Sequence, residues 1–588
     1  MANFYIPNDN VQLNGQGVIR QLGFNDTAGE LWSTYNIDLH TNPGKIKLAR
    51  PLKLAATDND LGGDSIEAFA ILGNDAYALT DSNLYTSSTP FTTWTLEDSG
   101  PQSADDMVVF KGQLVITDGS SGNIDAYDGS TFTSNWWTAR SNPSIDSGIG
   151  HFPHIMEVLR IGREKLAVTD GNYVHSYRGG ITADPDVKAT VDIGMSFVAT
   201  CIKTTIRSAF IGSYTEDAEQ AYVFEWDGES DVYTQAYPVG AKAVLSMEIV
   251  DDVPIIITER GEIKKFNNAG FTTVAQFPFA TKPLFANGVE TGLIQKNNLA
   301  RPIHPKGMKR AGDIIYIFVN FTSAAALPIG SIDERTYNGV WAFNLSTNSL
   351  THLCSPDNEQ VFTSSSPLMV INENKGRLFV GGKKENDDTG IWIEDLDDDT
   401  EHYGHLTTVE IQSDTVSSAF NGTYIKAYLG DDDSIVSKYR TSRDVLYPVN
   451  LLNAVWTGVN ENQFTSTSTD LVHVKTRFDA GQRDEIEVMY GQGAGRLAHI
   501  TNITLNTGTY TITIDEALGV NGELATIRID NWKKIPKEYT SDNADKLLLG
   551  TDGVTATWIQ FRYELKGKAG RPEIRQLIVN SNAKETLK

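Results

Sequence analysis

The feature that most constrains the fold is a short phrase repeated along the first two thirds of the chain. Each copy is an apolar run that ends in or near Thr-Asp, followed by a turn and an aromatic run. The clearest copies are 111–119 with 124–129 and 163–171 with 173–177. The remaining copies, which match more loosely after the first, are 74–81 with 84–85, 205–212 with 222–228, 253–259 with 263–266, 313–319 with 340–343, and 377–382 with 391–393. Their spacing of about 40 to 65 residues brackets the length of a four-stranded propeller blade.

Each copy makes a local prediction. The apolar run of four to six residues is typical of a strand that is buried on both faces. The aromatic residue that follows is expected to pack between neighbouring sheets. In the Thr-Asp-Gly turn, we expect the aspartate to accept backbone N–H groups and the glycine to supply a positive φ. Seven copies without helical patterns between them predict a propeller of six or seven blades.

The whole chain is therefore predicted to be all-β, and its 588 residues exceed what one hydrophobic core usually holds. We expect an N-terminal arm at 1–51 and a β-propeller at 52–405. Residues 406–455 and 533–588 are expected to form a C-terminal β-sandwich, because the late runs alternate apolar and polar side chains. A small β-domain at 456–532 is predicted to be inserted in this sandwich.

Composition excludes several classes of protein. No run approaches the roughly 20 apolar residues of a membrane helix, so no membrane partner is expected. The first residues have neither a basic start nor an apolar segment, so export by a signal peptide is not expected. Cys201 and Cys354 are the only cysteines, which is too few for a disulfide framework or a multi-cysteine metal site.

The formal net charge of −26 bears on possible partners. It disfavours a protein that grips nucleic-acid phosphates, because such binding needs clustered lysine and arginine. Solubility is one explanation of the charge. The other is a channel wall past which DNA moves without adhering, since like charges repel.

Carboxylates are the sharpest enzymatic candidates. Asp81, Asp118 and Asp170 all end apolar runs and could meet at one mouth of a propeller, where a pair could hydrolyse a glycosidic bond. They recur at the same position of successive copies, however. A catalytic residue is normally unique among blades, so a turn role is favoured and no catalytic residue is predicted.

Metal and cofactor sites are weakly indicated. Oxygen clusters that calcium could use occur at 58–64, 395–399 and 431–433, but none has the ligand order of an EF-hand. Two histidine pairs, His151 with His154 and His402 with His405, lack the further ligands that zinc needs. The glycine-rich 491–495 lacks the lysine of a phosphate-binding loop. No metal or cofactor is predicted.

Two further sets of residues could serve as contact surfaces. Trp94, Trp136 and Trp137 could stack on sugars, although a position between blades is favoured. Three basic clusters could pair with acidic faces of neighbouring subunits, or be ordinary solvated surface charge: Lys45, Lys47, Arg50 and Lys53; Lys306, Lys309 and Arg310; and Lys533, Lys534 and Lys537.

The layout resembles a family of virion proteins. A propeller pattern without a signal peptide, followed by a sandwich pattern ending in the runs 558–565 and 571–577, resembles tail nozzle or tail-hub proteins of short-tailed bacteriophages. The resemblance implies a ring below the head-to-tail adaptor that lines the DNA exit. It implies no catalytic residue, because the role in that family is mechanical.

Three functions remain open. The first is a non-enzymatic tail subunit that is made in the host cytoplasm and assembles into the virion as a cyclic homo-oligomer. Six copies are expected from the resemblance, with the adaptor and fibres as neighbours and DNA passing without specific binding during ejection. The second is a carbohydrate-binding or glycan-processing propeller, such as a receptor-binding protein. The third, a cellular scaffold propeller, is disfavoured because Trp-Asp and kelch signatures are both absent.

Overall fold

The fold is given by a computed structural model. The structure describes residues 2–6, 31–40, 46–62, 64–101, 104–118, 124–137, 154–178, 187–277, 285–286, 289–290, 303–320, 338–355, 367–371, 377–383, 389–394, 402–408, 411–412, 418–422, 427–430, 449–457, 462–481, 484–490, 493–517, 524–530, 533–534, 547–548, 558–567, 573–574 and 577–583.

The elements of the first half of the chain are almost all strands. In chain order they are β1 Ala2–Ile6, β2 Leu31–Tyr35, β3 Ile37–Asp38, β4 Ile46–Leu48, β5 Leu52–Ala56, α1 Asp58–Leu61, β6 Ile66–Leu72, β7 Asp75–Thr80, β8 Leu84–Ser88, β9 Thr95–Asp98, β10 Ala104–Phe110, β11 Gln113–Asp118, β12 Ile124–Tyr127, β13 Phe132–Trp137, β14 Met156–Leu159, β15 Lys165–Asp170, β16 Tyr173–Tyr177, β17 Val187–Asp192, β18 Val198–Thr204, β19 Ala209–Tyr214, β20 Tyr222–Trp226, β21 Gln235–Pro238, β22 Val244–Val250, β23 Val253–Thr258, β24 Glu262–Phe266 and β25 Phe271–Gln276.

The second half adds one more helix within its described residues. Its elements are β26 Phe285–Ala286, β27 Val289–Glu290, β28 Met308–Ala311, β29 Ile314–Val319, β30 Gly339–Asn344, β31 Leu350–Cys354, β32 Leu368–Ile371, β33 Arg377–Lys383, β34 Thr389–Glu394, β35 His402–Thr408, β36 Ile411–Gln412, β37 Ser418–Gly422, β38 Ala427–Gly430, β39 Val449–Thr457, β40 Gln463–Ser466, α2 Leu471–Asp479, β41 Glu485–Tyr490, β42 Leu497–Asn506, β43 Thr509–Ile514, β44 Leu524–Asp530, β45 Lys533–Lys534, β46 Leu547–Leu548, β47 Trp558–Gly567, β48 Glu573–Ile574 and β49 Leu577–Ala583.

The all-β prediction is confirmed. Strands outnumber helices throughout the described ranges, and many of them form four-stranded antiparallel sheets. In those same ranges, neither helix is long and apolar enough to cross a membrane.

The chain divides into two compact units. The first unit contains 1–53, 323–361 and 395–588, and the second contains 54–322 and 362–394. These units do not follow the predicted boundaries at 51, 405, 456 and 532, which stay predictions.

The second unit is built of repeated sheets in a propeller-like order. Five sheets follow one another as four-stranded meanders, from β6–β9 to β22–β25. The hairpin β28–β29 comes next, and a last sheet has the order β32-β33-β34-β5. The first strands contact one another in the order β6, β10, β14, β18, β22, β28 and β32, and β32 contacts β6 again. These seven strands, called the first-strand ring below, close on themselves.

The repeated phrase marks the second and third strands of each sheet. Strands β7 and β15 are almost entirely buried, as predicted for the apolar runs. The aromatic residues of the third strands pack against the preceding sheet. Tyr127 lies in one core with Tyr77 and Leu79, and Trp226 lies in another with Leu159. The predicted position of these rings between neighbouring sheets is therefore confirmed.

The Thr-Asp turns connect successive sheets through the backbone. The carbonyl of Asp81 accepts the N–H of Ala104 at 2.9 Å, which joins the first sheet to the start of β10. Inside the turn, the hydroxyl of Thr80 accepts the N–H of Asn83 at 3.0 Å. In this Thr-Asp-Ser turn the threonine hydroxyl is thus the capping group. Of the Thr-Asp-Gly turns, Gly171 has the predicted positive φ of +57°, and the aspartate cap stays a prediction.

The described residues of the first unit contain three sheets, the paired strands β30 and β31, and a barrel. The sheets have the orders β1-β49-β37-β46, β2-β35-β47-β38-β45 and β3-β4-β48, with β36 also on β47. Strands β39, β40, β43, β42, β41 and β44 form a closed barrel. The strands β38 and β45 flank the barrel in the chain and pair with each other, so the chain leaves one sheet to form the barrel and returns to it. The barrel begins at β39, which starts before residue 456.

The interior of the barrel is filled with apolar side chains. Trp456 and Phe464 are fully buried there, with ring centroids 5.3 Å apart in an edge-on arrangement. Helix α2 adds Leu471 and Val474 to the same core. A filled interior is typical of small barrels.

Candidate functional site

The candidate site is a network of charged side chains on the first-strand ring and the turns beside it. Two of the three predicted carboxylates are at its border. Asp170 is the last residue of β15, and Asp81 directly follows β7. Asp118 ends β11, and its side chain lies outside the described residues.

Two histidines and two aspartates form the first part of the network. The backbone N–H and Nδ1 of His154 lie 3.0 and 3.1 Å from Asp105 Oδ2. Nε2 of His154 lies 3.8 Å from Asp170 Oδ1, and Nε2 of His175 lies 3.5 Å from Asp170 Oδ2. His175 Nδ1 is 2.9 Å from the hydroxyl of Thr190. The cluster thus extends from β10 of the second sheet to β17 of the third.

The pKa values show that this cluster is charged. Burial opposes the charge on His154, but the hydrogen bonds to Asp105 and Asp170 outweigh it and raise its pKa to about 9. Burial likewise opposes the charge on Asp170, but both histidines lower its pKa to about 2. The groups form an ion pair at neutral pH. An imidazolium held between carboxylates has no lone pair with which to act as a general base.

A neutral carboxyl group lies beside this cluster. Burial, together with the charges of Asp105 and Asp81, raises the pKa of Glu67 to about 8. Asp64 accepts a hydrogen bond from the hydroxyl of Ser82 at this same end of the first sheet. Glu67 keeps its proton because burial disfavours its ionised form and the neighbouring negative charges disfavour it further.

An ion pair across the ring forms the second part of the network. Lys306, which precedes β28, places Nζ 2.5 Å from Asp106 Oδ1 and 3.2 Å from the carbonyl of Met107. Asp106 is fully buried and also accepts the N–H groups of Met107 and Met156 at 2.7 and 2.6 Å. One carboxylate therefore joins β10, β14 and the segment before β28.

Charged residues on the other first strands complete the network. Lys203 on β18 lies 3.5 Å from Glu157 Oε2 on β14. Burial opposes the charge on Lys203, but Glu157 and Glu248 outweigh it and raise its pKa. The charge of Lys203, together with burial, lowers the pKa of Lys309 on β28 to about 8. Acidic side chains on β10 and β14 thus pair with lysines on β18 and before β28, which limits the cost of burying these charges.

The sequence analysis did not identify this network. The repeated phrase marks the second and third strands, whereas many charged residues of the network, such as Glu67, Glu157 and Lys203, lie on first strands. One signal in the sequence could have revealed the network. A charged residue lies between apolar neighbours at the start of several repeats, as at Glu67, Glu157 and Glu248.

The basic cluster at 306–310 has partners within the chain. Lys306 pairs with Asp106, and Arg310 donates to Asp251 Oδ1 at 3.0 Å. Lys306 is buried in its pair, whereas the pair of Arg310 lies at the surface, so a contact of Arg310 with a neighbouring subunit stays a prediction. The clusters at 45–53 and 533–537 fall partly outside the described residues, and their predicted role stays a prediction.

Only some of the candidate metal ligands belong to the part of the chain that the structure describes. Within the described residues, no group of three or more histidine, cysteine, aspartate or glutamate side chains could hold a metal ion. Asp60 accepts the N–H and hydroxyl of Thr57, which is a helix-capping arrangement at α1. Residues 395–399, 431–433 and His151 lie outside the described residues, as does the side chain of His402.

The candidate tryptophans are packed. Trp94 is 4% exposed and lies in the core of the first sheet. The ring of Trp136 packs edge-on against Tyr177 at 5.5 Å. Trp94 therefore offers no free face to a sugar, whereas Trp136 is half-buried. The side chain of Trp137 lies outside the described residues.

Comparison with known proteins gives no family. No protein family matches the sequence, and no curated protein matches it. One similar solved structure is the mitotic checkpoint complex, at 11% identity and a TM-score of 0.36 over 64% of this chain and 98% of that chain. Another is the WD40 propeller domain of Doa1, at 12% identity and a TM-score of 0.37 over 59% of this chain and 98% of that chain. A third is Saccharomyces cerevisiae Sqt1, at 11% identity and a TM-score of 0.34 over 59% of this chain and 99% of that chain. These TM-scores are all below 0.5, too low to support a conclusion about this chain.

Proposed function

We propose that this chain is a non-enzymatic structural subunit of a tailed-bacteriophage virion, in a tail nozzle or hub ring through which DNA leaves the particle. The observation that supports it best is that the charged groups of the first-strand ring are one another's partners. Lys306 with Asp106, Lys203 with Glu157, and His154 with its aspartates form ion pairs within the ring. Such ion pairs fix the relative positions of the sheets, as a structural role requires.

The proposed architecture of the second unit is a seven-bladed propeller. Five meanders supply five blades, β28–β29 begins the sixth, and β32–β34 with β5 form the seventh. The closed order of first strands supports this count. Because β5 precedes β6 in the chain, the last blade would be completed from both ends of the propeller segment, and this arrangement resists opening.

The proposed architecture of the first unit is a β-sandwich with an inserted barrel. The sheets β1-β49-β37-β46 and β2-β35-β47-β38-β45 would be its two layers. Support comes from the alternating apolar and polar residues of β47 and from the return of the chain to β45 after the barrel.

The proposed DNA path lies along the subunit surfaces and not through the first-strand ring. Lys306 and Asp106 meet across that ring, so a duplex would have to break a buried ion pair to pass. A protein with a net charge of −26 would repel the phosphate backbone and let DNA slide. A cyclic ring of six copies, which contacts the head-to-tail adaptor and fibres, completes the proposal.

Electron microscopy and native mass spectrometry of the full-length protein test the proposal. The expected result is a closed ring of six copies, and antibodies to the chain should label the tail of virions. Purified rings should also leave the mobility of duplex DNA unchanged at physiological salt. Monomers alone, together with unlabelled virions, would overturn it.

The carbohydrate alternative would depend on Trp136, which is half-buried, because Trp94 is buried in a core. A glycan array with the same protein preparation distinguishes the structural function from the carbohydrate-binding function. Saturable sugar binding that Trp136→Ala abolishes would replace the structural proposal with the second function.

A further inference from the structure

Four consecutive first strands of the second unit carry a charged side chain at nearly the same level of the ring. Glu157 on β14, Glu248 on β22 and Lys309 on β28 each occupy the third residue pair from the turn that ends the strand. Lys203 on β18 occupies the second pair from its turn. Neighbouring first strands are in contact, so these four side chains, called the axial cluster below, lie on one part of the ring wall.

The axial cluster faces a space inside the ring. Lys203 is 12% exposed and Glu157 is 19% exposed, and the other two side chains are also partly exposed. The first strands form a closed ring, and each lies at the inner edge of its sheet, so this accessible surface opens toward the ring interior. At the same level, β6 and β10 carry the apolar residues Ala70 and Val108. The charges therefore come from one side of the space.

The charges of the axial cluster are only partly paired. Lys203 Nζ lies 3.5 Å from Glu157 Oε2, which makes an ion pair. Within the part of the chain that the structure describes, Glu248 Oε2 is buried without a hydrogen-bond partner, and the Lys309 side chain makes no hydrogen bond or ion pair. A carboxylate can only accept hydrogen bonds and an ammonium group can only donate them. A ligand that accepts from Lys309 and donates to Glu248 would satisfy both groups.

The electrostatic field at Lys309 favours a ligand that is negatively charged. The charge of Lys203, together with burial, lowers the pKa of Lys309 to about 8. Lys306 adds to this effect, whereas the carboxylates of Glu248 and Glu157 oppose it without cancelling it. The surroundings of the Lys309 ammonium group are therefore positive on balance. An anion beside it would relieve the repulsion between the lysines.

We propose that the axial cluster is a binding site for a small oxyanion that carries an O–H group, such as hydrogen phosphate. Its charged oxygens would accept hydrogen bonds from Lys309 and Lys203, and its O–H group would donate to Glu248 Oε2. An oxyanion without a proton cannot make the last contact and would direct a lone pair at the carboxylate, which is unfavourable. The inference does not depend on the proposed function.

Isothermal titration calorimetry of the full-length protein with inorganic phosphate and with sulfate, at equal ionic strength and about pH 7, tests the site. Phosphate should bind saturably at one site per chain and about tenfold more tightly than sulfate, because sulfate has no proton to donate to Glu248. Excess short duplex DNA should not displace the phosphate, because the site lies inside the ring. Equal affinity for the two anions, the absence of saturable phosphate binding, or displacement by DNA would overturn the proposal.

Variants assign the contacts to single residues. Lys309→Met should weaken phosphate binding at least about tenfold, whereas Lys265→Met, which removes an exposed lysine of β24, should bind phosphate like the wild type. Glu248→Gln should abolish the preference for phosphate over sulfate, because the glutamine amide can donate to either anion. Unchanged phosphate affinity in Lys309→Met, or an unchanged preference in Glu248→Gln, would overturn the proposal.

A measurement on the wild-type protein covers the case in which Lys309→Met does not fold. Acetic anhydride acetylates accessible lysine amines, and mass spectrometry gives the rate at each residue. Saturating phosphate should slow the acetylation of Lys309 several-fold and leave that of Lys265 unchanged, because only Lys309 would contact the anion. Equal rates at Lys309 with and without phosphate would overturn the site.

Discussion

Lys306 Nζ lies 2.5 Å from Asp106 Oδ1, and this contact joins strand β10 to the segment before β28, which is distant from it in the sequence. Asp106 is completely buried, and Lys306 nearly so. The same carboxylate accepts two backbone N–H groups, so all of its strong acceptor positions face donors. This contact explains how charged side chains can occupy the first strands without destabilising the ring.

The first prediction concerns this pair. Lys306→Met leaves the Asp106 carboxylate buried without its cation, and the free energy of unfolding should fall by about 3 to 5 kcal/mol. Urea denaturation followed by tryptophan fluorescence measures the change. The double variant Lys306→Met/Asp106→Leu should lose less than the sum of the single variants, because it buries no unpaired charge. Strict additivity would contradict the pairing.

The second prediction concerns pH. The folded-state pKa of His154 is about 9, above its ordinary 6.5, so the stability that its charge contributes is complete below pH 6.5 and disappears as the pH rises through 9. This difference between the two pKa values corresponds to about 3 kcal/mol of the free energy of unfolding. His154→Gln should flatten the stability profile across this window, as measured by urea midpoints. An unchanged slope would contradict the assignment.

The partner of His154 titrates at the other end of the pH scale. Asp170 has a folded-state pKa of about 2, below its ordinary 3.8, so its contribution is present above 3.8 and is lost as the pH falls through 2. Asp170→Asn should therefore remove stability at neutral pH and make the loss on acidification less steep.

The third prediction separates threonine from aspartate in the repeated turn. Thr80→Val removes the hydroxyl that accepts the N–H of Asn83 and should cost about 1 kcal/mol. Asp81→Asn should be neutral or stabilising, since burial and the charges of Asp64 and Asp105 raise the pKa of Asp81. Thermal unfolding of both variants tests this order. A larger loss for Asp81→Asn would restore the aspartate as the capping group.

The fourth prediction concerns Gly495, which lies just before the barrel strand β42. Its φ is +84°, and a Cβ there would lie 2.2 Å from Tyr35 Cε1. Gly508 has a φ of +85° with nothing within 4 Å, so Gly508→Ala is a matched control for backbone strain alone. Gly495→Ala should lose about 1 to 3 kcal/mol more than the control, and its circular dichroism melt measures this. Equal losses would contradict the close approach of Tyr35.

Much of the fold could be predicted because a repeat carries its own strand pattern. The run 124–127 is β12, and the run 173–177 is β16, since short apolar and aromatic runs between turn residues predict buried strands. The aromatic positions were also predictable, because large rings between sheets bury the most apolar area per residue. The predicted blade count, sandwich and domain boundaries rest on arrangements of elements that local pattern does not encode.

The charged network could not be predicted in the same way. Glu67, Lys203 and Lys309 look like solvated surface residues in the sequence, and only closure of the ring brings them together. The contacts that His405 makes with Glu487 and Gly495 are similar, because these two residues are distant from it in the chain. Pairs of this kind depend on long-range packing, which residue type and spacing do not reveal.

Cryo-electron microscopy of the intact particle tests the central claim most directly. The account predicts a ring of six copies at the tail, in which each copy shows a seven-bladed wheel whose centre is filled at Lys306 and Asp106, with DNA density outside the wheel. A particle without this chain in its tail, or DNA density running through the first-strand ring, would contradict it.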